Sequence, residues 1–344
     1  MKYNAIPHTD LEVSEICLGS MTWGEQNSQH EAHQQINYAI DKGVNFMDTA
    51  EMYSFPGRKE TQGNSEKIIG TWLSKNNKRK ELIIASKILG PNRGFNHVRD
   101  DLRFTKKNIE EALHGSLDRL QTDYIDIYQL HWPERNTNYF GQLDYSHDAQ
   151  ERWNDNFAEI LIQMQRYVNE GKIRYFGISN ENPWGLMRYI EEARNGKLRV
   201  ATVQNSYSLI NRKDEVGLTE ILHREQIGYL AYSPLGFGQL TGKYLDEVPE
   251  NSRYALFPKY SRYHKKNAYI ATKKYNEIAK KYGISLTQLA LAFVRQTSFV
   301  QSTIIGSTTM EQLEENLGSI AVRLSKEILK EINEVHQDLP TPAP

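Results

Sequence analysis

The chain has 344 residues, which is long enough for two modest domains or for one large α/β barrel. Its 42 Lys and Arg residues nearly balance 43 Asp and Glu residues, which excludes the basic field that recruits nucleic acid or an anionic membrane. Cys17 is the only cysteine, so a disulfide framework is excluded and a reducing compartment is expected. Residues 1–16 lack a signal-peptide pattern, and no window approaches the ~18 apolar residues of a spanning helix. A soluble, cytoplasmic protein is therefore expected.

Short β-branched or aliphatic runs alternate with longer segments of helical period along the chain. After a hairpin over 3–6 and 11–13, the pattern predicts strands at 16–20, 44–48, 82–87, 124–130, 174–178, 200–205, 228–232 and 303–306. It predicts helices at 29–42, 65–75, 105–120, 157–170, 184–193, 216–225, 266–282, 285–295 and 326–337.

Eight strands, each followed by a helix and with no linker between them, favour one (β/α)8 barrel domain over 1–344. An open doubly wound sheet is the alternative. The hairpin is expected to cover the barrel floor, and two extra helices precede the eighth strand, where Ser285 and Gln288 form a capping box. The tail that begins at Thr341 is expected to fray.

Four polar residues follow the second, third and fourth predicted strands: Asp48, Tyr53, Lys87 and His131. The carboxyl ends of the strands form the active face of a (β/α)8 barrel, so these side chains are expected to meet in one pocket. A phenol can protonate a carbonyl oxygen, a nearby ammonium lowers the phenol pKa, a carboxylate holds the ammonium charged, and an imidazole orients the substrate. None of these groups is a hydride source, which points to a nicotinamide cofactor.

The usual dinucleotide-binding fingerprint is absent. Segment 236–242 reads Gly-Phe-Gly-Gln-Leu-Thr-Gly, in which the third glycine comes one residue late for G-x-G-x-x-G. A Rossmann domain is therefore disfavoured. The glycines are interpreted as part of a loop that lies flat against a ligand.

These residues and their surroundings resemble the aldo-keto reductase family along essentially the whole chain. The resemblance rests on Asp48 and Tyr53 within Gly-Val-Asn-Phe-Met-Asp-Thr-Ala-Glu-Met-Tyr, Lys87 after Ile-Ile-Ala-Ser, His131 after Asp-Tyr-Ile-Asp-Ile-Tyr-Gln-Leu, and Ile-Arg-Tyr-Phe-Gly-Ile-Ser-Asn at 173–180. More narrowly, the chain is similar to the bacterial Tas-type branch, and more distantly to potassium-channel β subunits, which bind NADPH. The resemblance implies that Tyr53 is the general acid tuned by Asp48 and Lys87, and that His131 positions the carbonyl.

The same resemblance implies NADPH as the cofactor, with NADH less favoured. Ser179, Asn180 and Gln204 correspond to positions that bind the nicotinamide carboxamide, and Tyr232 to the aromatic residue that stacks on the ring. The other implied cofactor residues lie beneath the ring (Gly19, Ser20, Met21, Asp48), along the pyrophosphate (Ser233, Pro234, Leu235, Gly236, Gly238, Leu240), at the phosphates (Lys243, Arg253) and at the adenosine end (Gly306, Thr308, Gln312, Glu315, Asn316).

The helix after the eighth strand begins near Thr308 and Thr309, and helix N-termini attract phosphate. Thr309 and Gln312 also satisfy a capping box, so Thr308 is assigned to phosphate and Thr309 to the cap. Many aldo-keto reductases have a basic residue in this tripeptide, which here is Ser-Thr-Thr. A preference for NADPH therefore depends on Lys243 and Arg253.

Trp23, Phe55 and Trp132 follow strand ends and are predicted to line the pocket for a small carbonyl substrate, with core packing as the alternative. Insertion 134–152 is predicted to frame or cover that pocket, and no metal site is predicted. Two other functions compete with a reductase. One is an NADPH-sensing module with vestigial turnover, and the other is a Schiff-base aldolase that uses Lys87, which Asp48 disfavours by keeping the lysine charged.

Overall fold

The computed structural model describes residues 1–91 and 94–344. Its strands are β1 (Tyr3–Ala5), β2 (Glu12–Ser14), β3 (Ile16–Gly19), β4 (Phe46–Asp48), β5 (Ile83–Ile88), β6 (Ile125–Leu130), β7 (Ile173–Ser179), β8 (Val200–Ser206), β9 (Gly228–Tyr232) and β10 (Val300–Ile305). Its helices are α1 (Gln29–Asp41), α2 (Asn64–Asn76), α3 (Lys106–Leu120), α4 (Phe157–Asn169), α5 (Pro183–Arg194), α6 (Leu218–Glu225), α7 (Arg253–Leu256), α8 (Lys266–Lys281), α9 (Leu286–Gln296), α10 (Met310–Gly318) and α11 (Lys326–Asp338). Within the described ranges, no helix is both long and apolar enough to cross a membrane.

Strands β3 to β10 form a closed parallel barrel in the order β10-β3-β4-β5-β6-β7-β8-β9. Every residue of β4, β5, β6 and β8 is buried, as expected for parallel strands that face the barrel interior on one side and helices on the other. The (β/α)8 fold predicted from the alternating pattern is therefore confirmed. Because all strands run in one direction, their carboxyl ends meet at one face of the barrel.

The two-stranded hairpin β1–β2 closes the opposite face of the barrel. Ile6, Leu11 and Val13 are buried in one cluster with Phe46 and Ile83, which are the first residues of β4 and β5. The prediction that this hairpin covers the barrel floor is confirmed. The hairpin therefore closes the end of the barrel opposite the carboxyl ends of the strands.

The structure differs from the predicted elements mainly at their ends. Strand β10 begins at Val300, whereas the sequence pattern predicts a start at 303. The polar residues after Val300 interrupt the apolar pattern, although Val300 already pairs with β9 and the register shifts before Ser302. Helix α6 begins at Leu218, because a 3₁₀ turn over Lys213–Val216 precedes it. The prediction of a frayed tail is wrong at Ala343, which is fully buried and donates its backbone N–H to the carbonyl of Ile210 at 3.0 Å.

Helices α2 and α3 approach each other so closely that only glycine fits at Gly70. A Cβ at Gly70 would lie 2.2 Å from the carbonyl oxygen of Arg119. We expect Gly70→Ala to lower the free energy of unfolding by about 1–3 kcal/mol, because the two helices must separate. The measurement is urea denaturation of the purified variant.

The matched control is Gly318→Ala at the end of α10, where a Cβ would meet no atom within 4 Å. Gly318 has helical dihedral angles, so alanine there should raise the free energy of unfolding by roughly 0.4–1 kcal/mol. Equal effects of the two substitutions would contradict the close helix contact.

Candidate active site

The carboxyl ends of three neighbouring strands carry the predicted catalytic side chains. Asp48 is the last residue of β4, Lys87 is the penultimate residue of β5, and His131 follows β6 directly. Tyr53 lies in the loop after β4. The structure therefore brings the four residues to one end of the barrel, as the strand pattern predicts.

Asp48 and Lys87 form a buried ion pair at the centre of this end. Lys87 Nζ donates to Asp48 Oδ2 at 2.6 Å and to the carbonyl of Thr49 at 2.7 Å. The other carboxylate oxygen, Asp48 Oδ1, accepts from Gln204 Nε2 at 2.7 Å. Lys87 is fully buried, so it is not a solvated strand end.

Tyr53 lies beside both charged and neutral partners. Its ring centroid is 5.2 Å from Lys87 Nζ and 5.7 Å from the His131 ring centroid. Burial raises the pKa of the Tyr53 phenol, and the negative charge of Asp48 raises it further. The net direction for Tyr53 is therefore upward, with burial as the largest cause. The expected lowering of this pKa by Lys87 stays a prediction. Tyr53 is a protonated phenol at neutral pH.

His131 is held as a neutral imidazole. Burial lowers the pKa of His131 well below its usual value, and the positive charge of Lys87 acts in the same direction. Its Nδ1 atom is buried and has no hydrogen-bond partner among the described residues. A neutral ring that lines the cleft suits a hydrogen bond to a ligand oxygen.

The residues implied for nicotinamide binding form a hydrogen-bonded chain next to His131. Asn180 Nδ2 donates to the carbonyl of His131 at 2.8 Å, and Tyr232 Oη donates to Asn180 Oδ1. Ser179 Oγ donates to the carbonyl of Gln204 at 2.7 Å. The predicted catalytic and cofactor residues are therefore parts of one network.

A cleft of about 1050 Å³ opens at this end of the barrel. It is large enough for an extended dinucleotide together with a small substrate. Many predicted residues line it: Gly19, Ser20, Met21, Asp48, Tyr53, Phe55, His131, Trp132, Ser179, Asn180, Gln204, Tyr232, Ser233, Pro234, Leu235, Gly238, Lys243, Arg253, Gly306, Thr308, Gln312, Glu315 and Asn316.

Lys243 and Arg253 supply positive charge to the part of the cleft beside the loop after β9. The Arg253 guanidinium lies 3.6 Å from the ring centroid of Phe237, and its Nε and Nη2 atoms have no hydrogen-bond partner among the described residues. Burial lowers the pKa of Arg253 to about 10 and also lowers the pKa of Lys243. Arg253 stays cationic at neutral pH. A cation that lines the cleft here fits an anionic group such as a phosphate.

The start of α10 bears out the predicted cap. Thr309 Oγ1 accepts from the backbone N–H of Gln312 at 3.3 Å. Thr308 is engaged by the same helix, because its N–H and hydroxyl both donate to Gln312 Oε1, at 2.9 Å and 3.2 Å. A phosphate at Thr308 would therefore compete with the Gln312 side chain.

Trp23 does not line the cleft, and its assignment to the substrate pocket is corrected. The side chain is fully buried in the core, where its Nε1 donates to Gln35 Oε1 of α1 at 2.8 Å. The pyrophosphate-loop assignments also fail for the Leu240 side chain, which is fully buried in the core, and for Gly236, which is buried and does not line the cleft.

The sequence analysis missed the segment between α7 and α8. Lys259, Tyr260 and Arg262 line the cleft, and the Tyr260 ring packs edge-on against Phe55 at 4.6 Å. A run of cations and aromatic residues over 253–265 is the signal that indicates this segment, but only Arg253 of the run was predicted as a site residue. Part of insertion 134–152 also reaches the cleft, because Phe140 lines it.

The buried pair Glu51–Arg99 was also missed. Glu51 Oε1 accepts from the backbone N–H of Leu89 at 2.6 Å and from Arg99 Nη1 at 3.0 Å. The backbone N–H of Glu51 donates to the carbonyl of Lys87 at 3.2 Å. Glu51 therefore anchors the loop that carries Tyr53 to the end of β5.

The fold and these residues define an oxidoreductase of the aldo/keto reductase class. The model of the "Aldo/keto reductase family" matches residues 15–337, so the chain belongs to that family. It is 49% identical to "Protein tas" of Escherichia coli (strain K12), with all of both chains covered. It is 31% identical to "Uncharacterized oxidoreductase YrpG" of Bacillus subtilis (strain 168), with 97% of this chain and 96% of the relative covered. It is 36% identical to an "Aldo-keto reductase" of Babesia bovis, with 74% of this chain and 96% of the relative covered.

The low pKa of His131 predicts a pH dependence of stability. The imidazole is neutral in the folded protein but regains a pKa near ~6.5 on unfolding, so the unfolded chain binds an extra proton below that pH. His131 therefore contributes a loss of stability as the pH falls from 7 to 5. We expect His131→Gln to make the slope shallower by up to about 1.4 kcal/mol per pH unit.

Urea denaturation at several pH values measures this slope for each variant. His30→Gln, on the exposed face of α1, is the matched control and should keep the wild-type slope. A wild-type slope in His131→Gln would show that folding does not lower the pKa of this imidazole.

Proposed function

We propose that the protein is an NADPH-dependent reductase of aldehydes and ketones in which Tyr53 donates the proton. The observation that carries this proposal is the junction of Asp48, Lys87, Tyr53 and His131 with the chain of implied nicotinamide-binding residues at one end of the cleft.

The residues present suit an anionic dinucleotide. The cleft extends from the catalytic end to the start of α10, and Arg253 offers buried, unpartnered donors along it. A bound nicotinamide supplies the hydride that no side chain here can supply. Gln204 and Asn180 have amide groups at the catalytic end that suit its carboxamide.

The protein's own contribution is to hold and move one proton. Tyr53 has a protonated phenol that transfers its proton to the carbonyl oxygen as negative charge develops there. The Lys87 ammonium, 5.2 Å from the Tyr53 ring centroid, stabilises the phenolate that remains. The neutral His131 ring donates a hydrogen bond that orients the substrate oxygen. Burial of these groups strengthens each interaction by excluding water.

Tyr53→Phe tests the proton donor. We expect the variant to lose roughly 10²- to 10⁴-fold in kcat with a reactive aromatic aldehyde, because it lacks the acidic hydroxyl but keeps the ring. Its affinity for NADPH, measured by fluorescence titration, should stay within about threefold of wild type, because binding does not need that proton.

The matched control is Tyr260→Phe, which also removes one hydroxyl from a ring that lines the cleft and should retain activity. Full activity in Tyr53→Phe would remove Tyr53 from the proposed role. Tight NADPH binding by wild type without turnover of any aldehyde or ketone would instead favour a sensing module.

Lys243→Met and Arg253→Met test the preference for NADPH. A cation that pairs with the additional phosphate of NADPH should, when removed, weaken NADPH binding by roughly 10- to 100-fold and NADH binding much less. Titration of each variant with both cofactors gives the ratio of dissociation constants. Lys274→Met, at a surface ion pair with Asp338, is the control. Equal weakening of both cofactors would assign these cations to the shared pyrophosphate and contradict the proposed preference.

A further inference from the structure

Arg262 lies at the catalytic end of the cleft. Its Nη1 donates to Tyr232 Oη at 3.3 Å, and Tyr232 is joined through Asn180 to the carbonyl of His131. A series of contacts between aromatic rings also connects Arg262 to His131. The guanidinium is 5.9 Å from the Phe140 ring, Phe140 packs on Trp132 at 5.6 Å, and Trp132 on His131 at 5.0 Å. Arg262 is therefore close to the predicted site of carbonyl reduction.

The charge of Arg262 has no counter-ion among the described residues. Its contacts there are neutral: the Tyr232 hydroxyl, the Phe140 ring and the Tyr263 ring, whose centroid is 4.7 Å away. The buried arginines Arg99 and Arg135 differ, because Arg99 pairs with Glu51 and Arg135 with Glu181. A guanidinium that is partly withdrawn from water without an anion is costly, and a bound carboxylate would reduce that cost.

Arg262 remains charged in this setting. Burial acts to lower its pKa, but interactions with Tyr263 and Tyr232 outweigh burial, and the pKa of Arg262 is raised. Its Nε atom is buried and has no hydrogen-bond partner in the described part of the chain. Because Arg262 lines the cleft, its guanidinium can offer charged N–H donors to a carboxylate there.

The cleft is basic apart from two carboxylates that are already engaged. Asp48 is bound by Lys87 and Gln204, and Glu315 accepts from Ser285 Oγ at 2.7 Å, at the end beside α10. The cations that line the cleft are Lys243, Arg253, Lys259, Arg262 and Lys265. The cofactor proposed above uses Lys243 and Arg253, which leaves Lys259, Arg262 and Lys265. Of these three, Arg262 is the one whose hydrogen bond to Tyr232 places it at the catalytic end.

Apolar side chains surround the catalytic end near Tyr53 and Arg262. They belong to several loops: Met52, Phe55, Phe95, Trp132, Phe140 and Tyr260. Such walls favour an aromatic or aliphatic body over a sugar, since they offer few hydrogen bonds.

We propose that Arg262 binds a carboxylate on the substrate, so that the preferred substrates are aldehydes or ketones with an apolar body and an acid group. This inference rests on the proposed reductase function. It adds a charge requirement that the four catalytic residues do not impose. Arg262 acts on specificity and takes no part in proton transfer.

The test compares 4-carboxybenzaldehyde with its neutral methyl ester, methyl 4-formylbenzoate, in the presence of NADPH. Wild type should reduce the acid at least about tenfold more efficiently than the ester, as kcat/KM. Arg262→Met should lose roughly 10- to 100-fold on the acid, the range expected for a lost charge-assisted hydrogen bond, and less than threefold on the ester. Arg262→Lys keeps the charge but lacks the paired donors, so its kcat/KM on the acid should lie between those of wild type and Arg262→Met.

Arg224→Met changes the net charge equally at an exposed pair with Glu220 and is the control that should match wild type. Equal losses on acid and ester, no loss on either, or weaker NADPH binding in Arg262→Met would each overturn the carboxylate role. Thermal denaturation and the activity of Arg262→Lys separate these outcomes from misfolding.

Benzoate binding separates the carboxylate site from the reductase activity. Titration of the NADPH-loaded protein with benzoate should show binding to wild type that is at least about tenfold weaker in Arg262→Met. If no aldehyde or ketone is turned over but this difference persists, the reductase proposal fails while the anion site stands. If aldehydes are reduced and benzoate binds both proteins equally, the reductase stands and the role of Arg262 is wrong.

Discussion

The arrangement of the site depends on the buried ion pair between Asp48 and Lys87. Two charges withdrawn from water are tolerated only when their remaining hydrogen-bonding capacity is also satisfied. Here Lys87 also donates to the carbonyl of Thr49, and the second oxygen of Asp48 accepts from Gln204. Gln204 belongs to β8, which is not adjacent to β4, so one carboxylate ties β4 to both β5 and β8. Small shifts of these strands would leave a buried charge incompletely paired.

The same ion pair controls the protonation of its uncharged neighbours. Asp48 adds to burial in raising the pKa of Tyr53, while Lys87 adds to burial in lowering the pKa of His131. Each charge therefore favours the neutral form of the group on which it acts. A protonated phenol and a neutral imidazole are what proton donation and carbonyl orientation require. The pair can set both states at once because Tyr53 and His131 pack edge-on at 5.7 Å in the same buried region.

Local sequence patterns predicted the barrel and the positions of the proposed catalytic residues, because strand ends in a parallel barrel converge whatever the details of packing. They could not predict where a loop side chain points. Trp23 follows a strand end as Trp132 does, but Gln35 on α1 takes its indole N–H and holds it in the core. The direction of the Tyr53 pKa could not be predicted from the sequence either, because it depends first on how deeply the folded chain buries the phenol and then on the nearby charge of Asp48. The Glu51–Arg99 pair joins residues 48 apart in sequence, and no short-range spacing indicates it.

The residues proposed for catalysis lie mainly on strands, whereas the residues that wall the cleft lie mainly in loops. Asp48, Lys87 and Gln204 lie in buried strands whose hydrogen-bonded register fixes them. The cleft walls come from loops, including insertion 134–152 and the segment from Arg253 to Lys265. Loops can change sequence without disturbing a barrel. Arg262 connects the loops of the cleft wall to the barrel strands. It lies in a loop segment of the wall and donates a hydrogen bond to Tyr232, the last residue of β9. A substrate anion held there would be positioned relative to the rigid catalytic end, and chain variation in the walls could then alter the substrate body without altering the proton donor.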